Sequence, residues 1–264
     1  MDDVFARLPA ARRYWAVASV HGEADRLSAL QDAIEERFES GDQLIYLGNL
    51  IGQGGAVRAT LDAVLGFRRR LLARSGVKAG DITLLRGAQE EMWHKLLQIQ
   101  LAPDPENVLA WMQDQGVQAT AGAYRGDLAE GLKAARTGKV ELALWVDSLR
   151  AAHAEAAGHA DLLGAVSQAA YTEDGQLLFV NAGIDPDRPL FQQADTFWWG
   201  GRDFEFIDKR YFGARRVVRG FDHRHRGLVS KDATLSIDAG CGFGGKLLCA
   251  CLDGTGALIE ALEV

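Results

Sequence analysis

The chain has 264 residues, 48% of them hydrophobic and 25% charged, and a net charge of 29 − 36 = −7. That balance fits a globular protein with a sizeable core and excludes bulk attraction to nucleic acid or anionic lipid. No apolar run approaches the roughly 18–20 residues that span a bilayer, and the N-terminus lacks a signal-peptide core. Cys241, Cys249 and Cys251 read as buried thiols, so the expected setting is a reducing, cytoplasmic compartment.

In chain order, YWAVASV (residues 14–20) is a β-rich strand, followed by a helix with Leu27, Leu30, Ala33, Ile34 and Phe38 at helical spacing. QLIYLGNLIG repeats the form and feeds a helix from about Ala56 to Arg74, and DITLLRG is a third strand. Three strand–turn–helix units in succession argue for an α/β core with parallel pairing. From about 90 to 165 the period is helical, and we read this as an insertion within a single domain spanning 1–264. His94, His153 and His159 fall in it and read as surface positions. LGAVSQAAYT and QLLFVNAG then form a hairpin across Glu173, Asp174 and Gly175, and the last quarter (RRVVRG, ATLSIDAG, GKLLCACLD, GALIEALE) is short strands parted by glycine turns.

Catalytic side chains in such sheets gather at the C-terminal ends of strands. Those ends read Ser19-Val20-His21-Gly22, Gly48-Asn49-Leu50-Ile51-Gly52-Gln53-Gly54, Arg86-Gly87-Ala88-Gln89-Glu90, Asn181-Ala182-Gly183 and Gly220-Phe221-Asp222-His223. The ordered set resembles the calcineurin-like metallophosphoesterase superfamily, in its bacterial Ser/Thr phosphatase and diadenosine-tetraphosphatase-like branch. The motifs there are D-x-H-G, L-G-D-x-x-D-R-G, L-R-G-N-H-E, V-H-A-G and G-H-T or G-H-x-H. A closing D-T-G and G-G-x-L appear here as Asp238-Ala239-Gly240 and Gly244-Gly245-Lys246-Leu247, and Trp111, Gly116 and Thr120 also match. The resemblance runs from Trp15 to the C-terminus. It implies an αββα sandwich of two mixed β-sheets flanked by helices, and a phosphoric-ester hydrolase using two divalent metals such as Mn, Fe or Zn.

Against that pattern the turn glycines persist and most ligands do not. Ser19 replaces the first aspartate while His21 matches; Asn49 replaces the bridging aspartate; Ala88 and Gln89 replace the asparagine and histidine of the third motif. Asn181 and Phe221 replace two further histidines, Gly52 and Gln53 replace the aspartate and arginine of D-R-G, and His223 matches the last histidine of G-H-x-H. Alanine and phenylalanine offer no donor, asparagine brings no anion for two cations to share, and a glutamine amide does not titrate as a general acid. No metal cofactor and no catalytic residue is therefore expected. His21 and His223, with Ser19 and Asn49, make at most a weak single-metal site lacking charge compensation.

Arg86 and Arg219, with His21 and His223, are the candidate phosphate- or anion-binding residues. The run RRVVRGFDHRHRG, which also carries Arg215, Arg216, Arg224 and Arg226, is a positive island that would hold an anion unless those arginines are solvated or paired. Asp25 and Glu90 are read as helix-start carboxylates, and FWWGGRDFEFIDKRYF (197–212) as core plus rim. The leading expectation is a pseudophosphatase serving as a binding, regulatory or assembly module toward another protein or a phosphorylated ligand. The alternative is an atypical phosphoesterase with a mononuclear or weak metal site.

Overall fold

The computed structural model describes residues 4–264. Strands β1 (Phe5–Leu8), β2 (Arg13–Val17), β3 (Gln43–Tyr46) and β4 (Ile82–Leu84) are separated by helices α1 (Ala24–Glu35) and α2 (Val57–Leu72). Six helices follow: α3 (Ala88–Leu96), α4 (Pro105–Asp114), α5 (Val117–Ala123), α6 (Leu128–Thr137), α7 (Lys139–Glu155) and α8 (His159–Gly164). Beyond them lie β5 (Ala169–Thr172), β6 (Leu177–Val180), a single-turn α9 (Thr196–Trp199), β7 (Arg216–Arg219), β8 (Gly227–Ser230), β9 (Thr234–Asp238), β10 (Leu248–Asp253) and β11 (Leu258–Glu263).

Two mixed sheets result, ordered β1-β5-β6-β7-β9-β8 and β11-β10-β2-β3-β4. β2, β3 and β4 are parallel, as are β6, β7 and β9, so the C-terminal ends within each set lie side by side. β5 and β6 pair antiparallel, as expected of a hairpin. Two strands were not anticipated. β1, in an N-terminal stretch where no strand was expected, pairs parallel to β5, and β8, hidden in a polar run, pairs antiparallel to β9. Both are four-residue strands at a sheet edge, where neither length nor alternation offers a signal.

The strands show why the sheets stack. In β6, Leu177 and Phe179 join the core shared with β2, β3 and β10, whereas Leu178 and Val180 face a second cluster around Phe197, Trp198 and Phe204. That two-residue alternation buries β6 on both faces. Tyr14 of β2 meets Phe179 across the sandwich at 6.0 Å between ring centroids. In α2, Val57, Leu61, Val64, Phe67 and Leu71 form one buried stripe, and Arg69 and Arg70 complement the dipole in its last turn.

Within the helical stretch one expectation fails. His153 and His159 are buried, not on the surface: His159 Nδ1 shares a 2.8 Å hydrogen bond with the Tyr124 hydroxyl, and its Nε2 faces Asp62 at 3.1 Å. Helix packing supplies these contacts, and a lone histidine in a helical run does not reveal them. No helix among the described residues is long and apolar enough to cross a membrane.

All three cysteines are free and buried, with burial pushing the thiols of Cys241 and Cys251 up to about 12. In a disulfide-exchange titration none of the three should react in the native protein and all three should react in denaturant. A thiol that titrates natively at pH 8 would contradict the packing.

Candidate functional site

The strand-end loops converge because each satisfies the next one's backbone. His21 N–H and Val20 N–H donate to the Asn49 carbonyl at 2.7 and 3.0 Å, Ser19 N–H donates to Gly220 O at 3.0 Å, and Gly220 N–H donates to Asn181 O at 3.0 Å. Glu90 anchors the set. Its buried carboxylate accepts from Asn49 N–H (2.8 Å), Leu50 N–H (2.7 Å), Gly87 N–H (2.8 Å) and, more weakly, Ile51 N–H (3.4 Å). Burial raises its pKa and the four amides pull it back. Glu90 is thus a cap on the start of α3 that also holds the loop after β3. Asp25 lies in the first turn of α1 and makes no cap bond.

The loops enclose a cavity of about 270 Å³, lined by His21, Asn49, Gln53, Ala88, Gln89, Met92, Asp114, Gln115, Trp198, Trp199, Phe221, His223, His225 and Phe243. Clefts of about 530 and 500 Å³ exist elsewhere, but neither is lined by any of these strand-end residues. Seven described non-glycine residues have positive φ, and His21, Asn49, Gln53 and His225 of the cavity are four of them. Such backbone costs on the order of 1–3 kcal/mol per residue and persists only where its surroundings hold it. At Gly242 (φ +85) a Cβ would lie 2.3 Å from His21 Cβ, so this glycine is what lets the last loop close over the histidine.

Most of the altered positions come together here. Asn49 Nδ2 donates to Ser19 Oγ (3.2 Å) and to Asn181 Oδ1 (3.4 Å), Asn49 Oδ1 accepts from Gln89 N–H (3.0 Å), and Asn181 Nδ2 donates to Leu47 O (2.6 Å). A closed amide network thus occupies the place the resemblance assigns to metal ligands. Gln89 and Gln53 both donate from Nε2 to Gln115 O, at 2.8 and 3.0 Å. Gln89 also fills the space beside Gly52, where a Cβ would sit 2.2 Å from its Oε1.

His21 is 2% exposed, and neither ring nitrogen has a hydrogen-bond partner. Its ring packs edge-on against Phe221 (5.7 Å) and Phe243 (5.2 Å). Burial pushes its pKa down to about 4, with the Asp238 charge and the Ile51 backbone opposing only in part. His225, two residues beyond His223, stacks on Phe243 at 4.6 Å, and its Nδ1 lies 2.8 Å from Asp238 Oδ2, which raises its pKa. Asp238 also takes Asp222 N–H and Gly240 N–H. The residues present do not suit two metals: Ala88 and Phe221 carry no donor, the Asn49 amide is spent on neighbours, and Glu90 and Asp238 are committed to backbone amides and His225. Among the described residues no three His, Cys, Asp or Glu side chains are placed to hold a metal ion.

The anion-binding candidates separate. His21 and His223 line the cavity, but Arg86 and Arg219 do not. Arg86 pairs with Glu91 at 2.9 Å. Arg219 is fully buried and donates to Ser236 Oγ, Ala182 O and Gly201 O, pairs with Asp222 at 3.0 Å and lies over the Phe204 ring. Arg224 and Arg226 pair with Glu205, Arg226 also with Asp222, and Arg216 donates to the Gly256 and Lys231 carbonyls. The positive island is largely internal glue, because Asp222 within the run and Glu205 outside it pair with its arginines. Sequence reasoning missed Phe243, Trp198 and Trp199 as cavity walls. The first stands beside a matched glycine motif and the others open the aromatic run, but no spacing rule tied them to His21.

Glu90→Ala should cost at least about 3 kcal/mol, since several buried amides lose their acceptor at roughly 1–3 kcal/mol each. Glu90→Gln, which keeps one carbonyl oxygen, should cost clearly less, and equal losses in denaturant unfolding would refute the anchor. For His21 the folded pKa lies below the ordinary 6.5. Its contribution is therefore complete above pH 6.5 and is lost as pH falls toward 4, whereas that of His225, with a raised pKa, is lost as pH rises. Between pH 7 and 4.5 the native protein should lose about 2 kcal/mol more than His21→Asn; parallel pH curves would contradict this.

No family model and no curated protein matches the chain. Solved structures do. A provisionally assigned diadenosine tetraphosphatase aligns over 99% of this chain and 98% of its own, with a TM-score of 0.54 and 19% identity. A point mutant of a cold-active protein tyrosine phosphatase aligns over 99% and 82%, with a TM-score of 0.53 and 15% identity. The cold-active protein-tyrosine phosphatase of a psychrophilic Shewanella species aligns over the same shares at 0.51 and 15%. Together with the two mixed sheets and their converging strand ends, these likenesses identify the architecture of this chain as the calcineurin-like metallophosphoesterase fold.

Proposed function

We propose that this protein is a pseudophosphatase: a metallophosphoesterase-type scaffold whose strand-end cavity binds a ligand without hydrolysing it. The observation that carries the reading is the interior of the cavity. Phe221, Phe243 and Ala88 stand with His21 where a charged donor set would be required, and Asn49, Ser19, Asn181 and Gln89 bond to one another. A two-metal mechanism needs ions held by anionic oxygens to clamp the attacking and leaving groups. Losing even one supporting partner of a metal ligand costs ~10–100-fold. This chain retains one matched histidine at the first strand end and supplies no carboxylate beside it that is not already bonded.

The scaffold is nevertheless maintained at a cost. The left-handed backbone at His21, Asn49, Gln53 and His225 and the buried capping carboxylate of Glu90 keep the loops in position. A binding role accounts for that, whether the ligand is free or carried by a partner protein. A second reading rests on one observation: His21, His223 and His225 line the same cavity, so a mononuclear site with weak phosphoesterase activity is the alternative.

One experiment separates the two. Protein purified without chelator should contain well under one equivalent of Mn, Fe or Zn by elemental analysis. It should turn over p-nitrophenyl phosphate no faster than a protein-free control in added Mn²⁺. Two metal equivalents per chain would overturn the proposal. Turnover that His21→Asn abolishes would establish the alternative.

A further inference from the structure

β11 closes one side of the five-stranded sheet and pairs with β10 alone. Leu247 and Val264 exchange two backbone hydrogen bonds, at 2.9 and 3.1 Å, so the bonded pairs that follow along this antiparallel ladder are Cys249 with Leu262 and Cys251 with Glu260. Leu248 and Ala250 alternate with these and turn their backbone toward β2, as the 3.0 Å bond from Ala18 N–H to Leu248 O shows. Their opposite numbers on β11, Glu263 and Ala261, therefore turn N–H and C=O away from the sheet. Both residues are exposed, and among the described residues no other backbone group bonds to theirs.

The other edges are shorter or partly covered. β4 has three residues and is met by Ser167, whose N–H donates to Leu84 O at 2.9 Å and whose carbonyl takes Arg86 N–H at 2.7 Å. β1 and β8 have four residues each. β11 has six, and none is Pro or Lys, the residues that commonly blunt an edge. Its one irregularity, between Cys251 and Leu252, falls opposite Ile259 and precedes the outward-facing residues. Its two acids are already compensated within the chain, Glu260 by Arg37 at 3.4 Å and Glu263 by Lys246.

We propose that a second copy of this chain adds antiparallel to this edge, about a twofold axis at Leu262, joining the two five-stranded sheets into one of ten strands. Ala261 of each copy then lies across from Glu263 of the other, and every outward N–H meets an outward C=O. Leu262, half-buried against the core, faces its own counterpart in the closely spaced, non-bonded position. Glu260 lies across from Val264, so no acid directly faces an acid. The edge is thus complementary to itself, which is what a twofold interface requires, and the pairing closes without leaving β11 open to a third copy. The inference goes beyond the reading of the strand-end cavity and is independent of what that cavity holds.

Light scattering and sedimentation of the untagged protein at about 150 mM salt, where surface charges are screened beyond about 8 Å, test it. At micromolar concentration the mass should be twice the 28.7 kDa of one chain. Ala261→Pro removes an outward N–H that takes no part in the β10 ladder, as an edge strand tolerates. It should weaken the dimer at least about tenfold, because two of the four symmetric bonds are lost, while the melting temperature stays within a few degrees. Leu262→Cys should form an interchain disulfide on mild oxidation, since Cα atoms about 4.5 Å apart in such a pair suit one. The wild type should not, because its own thiols are buried. A monomeric wild type, a dimer that Ala261→Pro leaves as tight, or no disulfide in Leu262→Cys would each overturn the proposal. If Ala261→Pro fails to fold, the wild-type mass and the Leu262→Cys disulfide decide it.

Discussion

Glu90 is a carboxylate sealed from solvent with four backbone amides directed at it. Those amides belong to the ends of two parallel strands: the loop that leaves β3 and the turn that starts α3 after β4. Neither loop is built from regular ladder bonds, so their N–H groups need an acceptor that water cannot provide at this depth. One side chain meets the need for both. Through Asn49 the constraint passes outward, because the Asn49 carbonyl receives the His21 and Val20 amides and its side chain reaches Ser19, Asn181 and Gln89.

That ordering separates what positions a site from what acts in it. The positioning parts are backbone conformation, glycines at close approaches and a buried cap, and they work whatever side chains face the cavity. The facing side chains here are amides, imidazoles and aromatic rings, which close the network by neutral hydrogen bonds instead of by charge. A carboxylate at Asn49 could not donate to Ser19 and Asn181 as the present amide does. The amide network and a metal cluster are thus alternative ways of satisfying the same strand ends, and this chain contains the parts of the first.

Charge is distributed by the same logic. Arg219 is wholly buried, yet its guanidinium is held by Asp222, two carbonyls, a hydroxyl and the face of Phe204. Such a group ties β7 to β9 and to the 182 and 201 loops, and it has no reach left for a ligand. Burying a charge without such partners would cost several kcal/mol or more. Arg224 and Arg226 meet Glu205, and His225 meets Asp238. The arginine-rich turn is consequently part of the wall and contributes no open positive surface to the cavity.

Local pattern was enough for the architecture. Apolar runs ending in small residues placed β2, β3, β4, β6 and β7, helical spacing placed α1 and α2, and the ordered strand ends carried the resemblance to the fold that the structure adopts. The edge strands β1 and β8 escaped because a four-residue edge carries no periodicity of its own. At the site, sequence determined which donor atoms exist: no anion at 49, none at 19, nothing at 88 or 221. It could not determine where the arginines and histidines spend theirs. Arg86, Arg219, His153 and His159 look available in a linear chain, and only the folded neighbours Glu91, Asp222, Trp93 and Tyr124 engage them. The reason is physical. A residue's type limits the bonds it can make, and burial beside specific partners decides which of them it does make. His21 shows both halves: its position was readable as a strand-end histidine, while its aromatic enclosure by Phe221 and Phe243 came from loops about 200 residues away in sequence.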